Sequence, residues 1–231
     1  MVPKHVAVIM DGNRRFSKRL MMKPWKGHEW GAKKLEQLLA WCRELGVEEL
    51  TVYAFSVQNF HRPKEEYDFL MQVFLEAARK LKEKVTAGEY NDMRLLFIGR
   101  LQLFPAELQA VMHEMMELTK NNKGFRVNIA MAYGGREEVI DAVKKLGEQI
   151  KSGKLSVDEL NEKVFEKALY IDSEPDLIIR TGGERRTSNF LIWQSHYSEW
   201  YFVDKLWPEF EKQDFLEALA SYSGRERRFG K

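Results

Sequence analysis

Short β-type runs alternate with long amphipathic segments along the whole chain, and few folds accommodate that order. The runs lie at His5 to Met10, Glu49 to Phe55, Arg94 to Gly99, Phe125 to Tyr133, Asp176 to Thr181 and Glu199 to Val203. Between them, Leu35, Leu38, Leu39 and Cys42 follow helical spacing, as do Phe69, Leu70, Val73 and Phe74. Further helices are predicted over Pro105 to Leu118, Arg136 to Ile150, Ser156 to Leu169 and Asp214 to Tyr222. The pattern is that of an α/β fold, a mostly parallel central sheet flanked by helices on both faces. No low-complexity linker or repeat divides residues 1–231, so a single domain is expected.

Composition narrows the class. Hydrophobic residues at 44% and aromatics at 12% exclude a disordered polymer or a disulfide miniprotein. Cys42 is the only cysteine, so no intrachain disulfide and no cysteine-based zinc site can form, and a reduced cytoplasm fits. The longest apolar runs, such as Val6 to Met10, fall far short of the roughly 20 residues a spanning helix needs. Nothing reads as a signal peptide, and any membrane contact is expected to be peripheral. The net charge of +2 hides an asymmetry, because residues 1–34 hold nine lysines and arginines against Asp11 and Glu29. Such a cluster suits a polyanion: nucleic acid, a lipid surface, or a small molecule carrying several phosphates.

The run HVAVIMDGNRRF is the most informative dozen residues. A buried strand ends at Met10, Asp11 and Gly12 turn the chain, and Asn13, Arg14 and Arg15 begin a basic helix. Ligands of open α/β sheets bind at that end of a strand, and the free N–H groups of the following helix attract anions. Gly12 lets the backbone approach, Asn13 can cap the helix, and Arg15 can offer a bidentate guanidinium. Asp11 would repel a phosphate unless a cation lay between them, and Mg²⁺ resolves the conflict. Two alternatives remain at this point. The Asp-Gly pair can be an ordinary turn, and a strand-then-Asp-x-Asp phosphatase is disfavoured because Asn13 stands where its second aspartate belongs.

Three further segments share this chemistry. YAFSVQNFHRP places Ser56, Asn59 and Arg62 in the loop where the second strand ends, although taken alone an ordinary strand-to-helix loop with Pro63 in the first helical turn explains them better. DLIIRTGGERRTSNFLIW surrounds the Gly182-Gly183 turn with Arg180, Arg186 and Ser188, a second diphosphate site by the same logic. Glu199, in HYSEWYF, adds a carboxylate, or else an exposed residue that opens an edge strand.

Together these segments resemble the cis-prenyltransferases, the family of undecaprenyl and dehydrodolichyl diphosphate synthases. MDGNRR, GHEWG, FSVQNFHRP, RTGGERRTSNFLIWQ and RERRFG occur in the family's order over nearly the whole chain, and the DDxxD motif of trans-prenyltransferases is absent from the sequence. The resemblance implies a Rossmann-like homodimer with an apolar tunnel. It would condense isopentenyl diphosphate repeatedly onto an allylic diphosphate starter, farnesyl or geranylgeranyl, to give a Z-polyprenyl diphosphate. Asp11 then resembles the essential aspartate that positions Mg²⁺, with Glu199 similar to the glutamate that helps hold the metal. Gly12, Asn13, Arg15 and His28 resemble the allylic diphosphate site, and Arg180, Arg186 and Ser188 the isopentenyl diphosphate site. Ser56, Asn59 and Arg62 match a loop over both substrates, and Arg228 and Gly230 match an element that reaches the partner subunit's site. The base that takes the proton stays open among Asn59, His28 and the departing diphosphate.

The chain also departs from the family pattern. Pro24 stands where relatives often carry arginine, so Lys23 or Lys26 is expected to supply that charge. Phe16 and Phe60 replace frequent tryptophan or tyrosine, Gln58 replaces a common acid, and Arg14 gives the GNRR form of archaeal and eukaryotic relatives. Each isoprene unit buries about five carbons at ~0.8 kcal/mol per methylene-sized group, so the tail grows until the tunnel floor blocks it. Phe69, Leu70, Val73, Phe74 and Ala77 are expected to face that tunnel. With Ala54 small, they favour a medium or long product. The competing expectations are a short or branched product, a different acceptor, a noncatalytic partner subunit, and a nucleic-acid module using Phe16, Trp25 and Trp30. The family reading expects no nucleic acid, a cytoplasmic location, and membrane association only through the product.

Overall fold

The computed structural model describes residues 2–224. All six expected strands form: β1 (His5–Ile9), β2 (Glu49–Ser56), β3 (Arg94–Ile98), β4 (Arg126–Tyr133), β5 (Leu177–Arg180) and β6 (Glu199–Phe202). They make one parallel sheet in the order β3-β4-β2-β1-β5-β6. The helices are α1 (Asn13–Arg19), α2 (Gly27–Glu44), α3 (Lys64–Thr86), α4 (Ala106–Thr119), α5 (Gly135–Lys151), α6 (Glu162–Glu166) and α7 (Lys212–Ser223).

Both faces of the central strand are covered, as a parallel sheet requires. Side chains alternate across a strand, so Val6 and Val8 of β1 join one core while Ala7 and Ile9 join another. The first core brings in Leu38 of α2, Leu70 of α3, Met112 of α4 and Phe215 of α7. The second packs Ile178 of β5 against Phe190 and Leu191, and Ala142 and Leu146 of α5 form a smaller core of their own with Ala168 and Leu169.

The single long helix expected over 156–169 is broken. A 3₁₀ turn at Val157–Glu159 leads into extended backbone at Leu160, and only then does α6 begin. Asn161 explains the break, because its side chain accepts from the Val164 N–H at 3.1 Å and caps a new helix in place of continuing the old one.

Topology fixes where a ligand can sit. The chain leaves β1 toward β2 on one side and leaves β5 toward β6 on the other, while β1 and β5 are neighbours. Their carboxyl ends therefore flank the crevice of a topological switch point. Ile9 is level with Arg180 there, and Asp11 follows two residues later.

Candidate active site

Asp11 is fixed by its backbone before its carboxylate does anything. Its carbonyl accepts from the Trp207 N–H at 2.9 Å and from the Thr181 hydroxyl at 2.8 Å. Gly12 follows at φ 115, and a Cβ there would lie 2.8 Å from that of Leu206, so only glycine turns the chain at this place. The Asp11 carboxylate then accepts from Arg180 Nη2 at 3.0 Å and pairs with Arg15 Nη2 at 3.3 Å. Arg180 is buried; its Nη1 donates to the Ser188 hydroxyl at 2.7 Å and to the Arg186 carbonyl, and its Nε has no partner among the described residues. Ser188 and Asn189 hold left-handed backbone at φ 50 and 61, an arrangement that folds this loop back over Arg180. The result is two guanidinium groups converging on one carboxylate, one of them held in turn by the Ser188 hydroxyl.

A second polar group forms beside it from α1, α2 and the start of α3. Glu66 is almost wholly buried and receives Arg62 Nη1 at 3.0 Å and Arg14 Nε at 3.5 Å. Arg62 also donates to His28 Nε2 at 3.4 Å, which leaves the imidazole proton on Nδ1. Burial, then Arg62 and Arg14, push the His28 pKa down to about 3, so the ring stays neutral at any working pH. Asn59 accepts from the Ser56 N–H at 3.0 Å and so braces the loop after β2. Asn13 does not cap α1. Gly12 holds the cap position, Asn13 Nδ2 donates back to the Met10 carbonyl at 3.3 Å, and its Oδ1 is buried without a partner among the described residues.

Both groups open into one cavity of about 640 Å³ that runs between α2, α3 and the sheet. Asp11, Asn13, His28, Ser56, Asn59, Arg62, Arg180 and Ser188 line its polar end. Beyond them the wall is Ala54 and Phe55 of β2, Leu35 and Leu39 of α2, and Val73, Phe74, Ala77 and Leu81 of α3. Phe69 and Leu70, expected on this wall, are not on it: Lys26 lies over the Phe69 ring, and Leu70 belongs to the core under the sheet.

Other expected residues also fall elsewhere. Glu199 opens β6 level with Leu177, at the amino edge of the sheet, whereas Asp11 follows the carboxyl edge. Those positions lie five residues apart along the strand direction, about 16 Å, so within one chain the two carboxylates cannot share an ion. Lys23 is exposed and paired with Glu65, and Lys26 with Glu29, so both charges offered in place of an arginine at Pro24 are matched by a glutamate. Phe16 packs edge-on against Trp30, and Phe60 packs against Phe55 and Phe104 behind the cavity wall. Arg186 contributes its carbonyl, while its side chain pairs with Glu184. Arg228 and Gly230 lie outside the described residues. The basic cluster of residues 1–34 is not a bare patch either, because Lys4, Arg14, Arg19, Lys23, Lys26 and Lys34 each pair with a glutamate.

Three contributors went unforeseen. Glu66 orients two arginines, Trp207 ties Asp11 to α2 through its indole bond to the Gly31 carbonyl, and Asn189 links the Arg180 loop to Glu137 of α5. For Trp207 the run LWPEF offered a signal, a large apolar residue before a proline just past a strand.

A polar, arginine-rich head on a long apolar cavity is the geometry of an enzyme that handles a prenyl diphosphate, and comparison with known proteins agrees. Residues 9–230 match the family model described as "Putative undecaprenyl diphosphate synthase". The chain is 47% identical over 233 residues to the tritrans,polycis-undecaprenyl-diphosphate synthase (geranylgeranyl-diphosphate specific) of Pyrococcus horikoshii, covering 100% of this chain and 88% of the relative. It is 46% identical over 236 residues to the isoprenyl transferase of Thermus thermophilus, covering 100% and 89%. Its fold superposes on lavandulyl diphosphate synthase from Lavandula x intermedia, solved with dimethylallyl diphosphate, with a TM-score of 0.93 at 38% identity over 100% and 99% of the two chains. The chain belongs to the undecaprenyl diphosphate synthase family, the cis-prenyltransferases. It is a prenyltransferase, a polyprenyl diphosphate synthase.

Proposed function

We propose that the chain adds isopentenyl diphosphate repeatedly to geranylgeranyl diphosphate, forming a Z double bond at each step and ending in a medium or long polyprenyl diphosphate. The observation that carries this is the Asp11, Arg180 and Ser188 head at the mouth of the apolar cavity. The starter is taken from the relatives named for geranylgeranyl diphosphate.

The donor set suits Mg²⁺ shared with substrate. Among the described residues no three carboxylate, histidine or cysteine side chains gather as a cage, and Asp11 instead presents a single carboxylate amid arginines. Mg²⁺ takes one or two carboxylates and completes its shell with phosphate oxygens and water. Asp11 would hold it, and when bound it neutralises charge that develops on the departing diphosphate.

Arg180 and the Ser188 hydroxyl bind the isopentenyl diphosphate, joined by Arg186 when its exposed guanidinium turns from Glu184 to the diphosphate, and Arg180 Nε, without a partner among the described residues, adds a donor there. Arg15, Arg14, Arg62 and the N–H groups after Gly12 bind the allylic diphosphate, with neutral His28 and Asn59 as hydrogen-bonding groups beside it. The allylic C1–O bond breaks and the diphosphate leaves. The isopentenyl double bond forms the new C–C bond to that carbon, and a proton lost from C2 gives the Z olefin. The guanidinium groups stabilise the leaving anion in a site the apolar wall keeps dry.

Subunit pairing belongs to the same reading. Ile140 and Val143 stand exposed one turn apart on α5, with Ile192 packed at its start, an apolar face suited to a second copy. Through it Arg228 and Gly230 would reach the partner's isopentenyl diphosphate. We place the reaction in the cytoplasm, with membrane contact made by the product.

The test incubates purified protein with Mg²⁺, labelled isopentenyl diphosphate and each of dimethylallyl, geranyl, farnesyl and geranylgeranyl diphosphate, then sizes the products. Geranylgeranyl diphosphate is expected to support the fastest incorporation and the longest chains. A second reading follows from the 0.93 superposition on lavandulyl diphosphate synthase: a single ten-carbon product from dimethylallyl diphosphate, with no elongation, would replace the first. No prenyl product with any starter, dimethylallyl diphosphate alone included, would overturn both.

A further inference from the structure

The cavity wall is apolar over most of its length and then meets one ion pair. On α3, Val73, Ala77, Leu81 and Lys84 recur every three or four residues and line the same cavity. Glu36 lines it from α2, beside Leu35. Lys84 Nζ donates to Glu36 Oε2 at 2.8 Å and so bridges the two helices. These side chains keep 34% and 48% of their surface while lining the cavity, so the pair has hydrocarbon wall on one side and water on the other. Donating to the Glu36 carboxylate raises the Lys84 amine above its ordinary pKa, so the amine stays charged at neutral pH.

We propose that the Glu36–Lys84 pair is the product-length gate of the cavity, the point at which the growing prenyl tail stops. The proposal rests on the polyprenyl diphosphate reading and adds the residues that sense the far end of the tail. Hydrocarbon gains free energy by covering Leu35, Ala77 and Leu81. It gains none by covering an ammonium and a carboxylate, whose polar atoms would lose their water. A half-exposed pair contributes little to stability, so the chain can change it without unfolding. Lys84 lies eleven residues beyond Val73 on α3, about 16 Å along the helix axis, which sets the depth at which elongation ends.

Two variants test charge against bulk: the apolar double substitution E36L/K84L and the exchange E36K/K84E, which restores the pair in reverse. Each is given geranylgeranyl diphosphate, excess isopentenyl diphosphate and Mg²⁺, and its products are dephosphorylated and sized by mass spectrometry. The apolar double variant is expected to lengthen the modal product by two or more isoprene units, and the exchange to keep the wild-type distribution. Folded E36L/K84L protein with an unchanged distribution overturns the gate, as does an exchange variant that lengthens products equally. Leu81→Trp, one turn nearer the head, separates the two readings. If it shortens the products while E36L/K84L changes nothing, the gate alone fails. If it too leaves length unaltered, the tail does not lie in this cavity and the gate fails, whereas wild type that makes no polyprenyl product fails the polyprenyl diphosphate reading itself.

Discussion

The two ends of the cavity are made from different materials. At the diphosphate end, Gly12, Gly182 and Ser188 hold left-handed backbone, and Asp11 is fastened by bonds from Trp207, Thr181 and Arg180. A Cβ on Gly182 would come within 2.6 Å of the Arg15 guanidinium, so even the space beside the charges is allotted. Along the wall, Ala54, Leu35, Val73 and Ala77 present only volume, and one apolar side chain of suitable size can replace another there. The head is built to fix where charge develops, and the wall to fix how much hydrocarbon fits. Substitutions at the two ends should therefore change different observables.

The largest effect is expected at Asp11. Asp11→Ala keeps the turn, which Gly12 and the backbone bonds make, and removes the carboxylate. The expected result is a roughly 10²- to 10³-fold fall in kcat, the usual cost of losing a preorganised charge-stabilising group, with the product-length distribution of the residual activity unchanged. Circular dichroism verifies the fold and saturating Mg²⁺ removes trivial affinity effects. Near wild-type turnover, or shortened products, would mean that head and wall are not separate devices.

Arg180→Ala follows. It deletes charge-assisted bonds to Asp11 and Ser188 worth roughly 1.5–3 kcal/mol, so the KM for isopentenyl diphosphate should rise about ten- to a hundredfold. A rise confined to the allylic substrate would exchange the two diphosphate assignments. Steady-state kinetics with each substrate varied in turn decides between them.

This contrast also governs what the sequence disclosed. Asp11 and Arg180 were legible because each follows a short apolar run, and parallel strands gather such positions at one edge. Glu199 is separated from Asp11 of its own chain because it precedes its strand instead of following it, and strands running the same way put starts and ends at opposite edges. The sequence could not show that Lys23 pairs with Glu65 at the start of α3, a partner distant along the chain. Glu66 reads as one more acid in a helix's first turn, and only the packed structure shows it buried beneath two arginines. The wall was half legible. Helical spacing selected α3, but that helix carries apolar residues on more than one side, so Leu70 for the core and Val73 for the cavity look alike in one dimension.

A wall substitution should show the converse of Asp11→Ala. Ala77→Phe fills the cavity seven residues, about 10 Å, before Lys84, and should shorten the modal product by on the order of two isoprene units. The first condensation, measured as a single turnover, should stay within about threefold of wild type, because the head is untouched. Loss of that first step with unchanged length would show that α3 at this position serves the head.

The smallest expected effect concerns a group at the head that is held uncharged. Burial first, then Arg62 and Arg14, depress the His28 pKa to about 3 in the folded chain, while the unfolded chain keeps about 6.5. Above pH 6.5 both states are neutral there, and His28 has no effect on the pH dependence. As pH falls below 6.5 the unfolded chain takes up a proton that the folded chain refuses, so stability declines progressively toward pH 3. At pH 5 the loss from His28 amounts to about 2 kcal/mol, at 1.36 kcal/mol per pH unit. His5, at the other edge of the sheet, is lowered by burial as well and adds a loss of the same sign. Wild type should therefore lose more stability between pH 7.5 and 5 than His28→Gln, which keeps only the His5 contribution. Urea unfolding at the two pH values measures the difference. Equal losses in both proteins would show that His28 titrates normally and that the arginines beside it leave the imidazole free to charge.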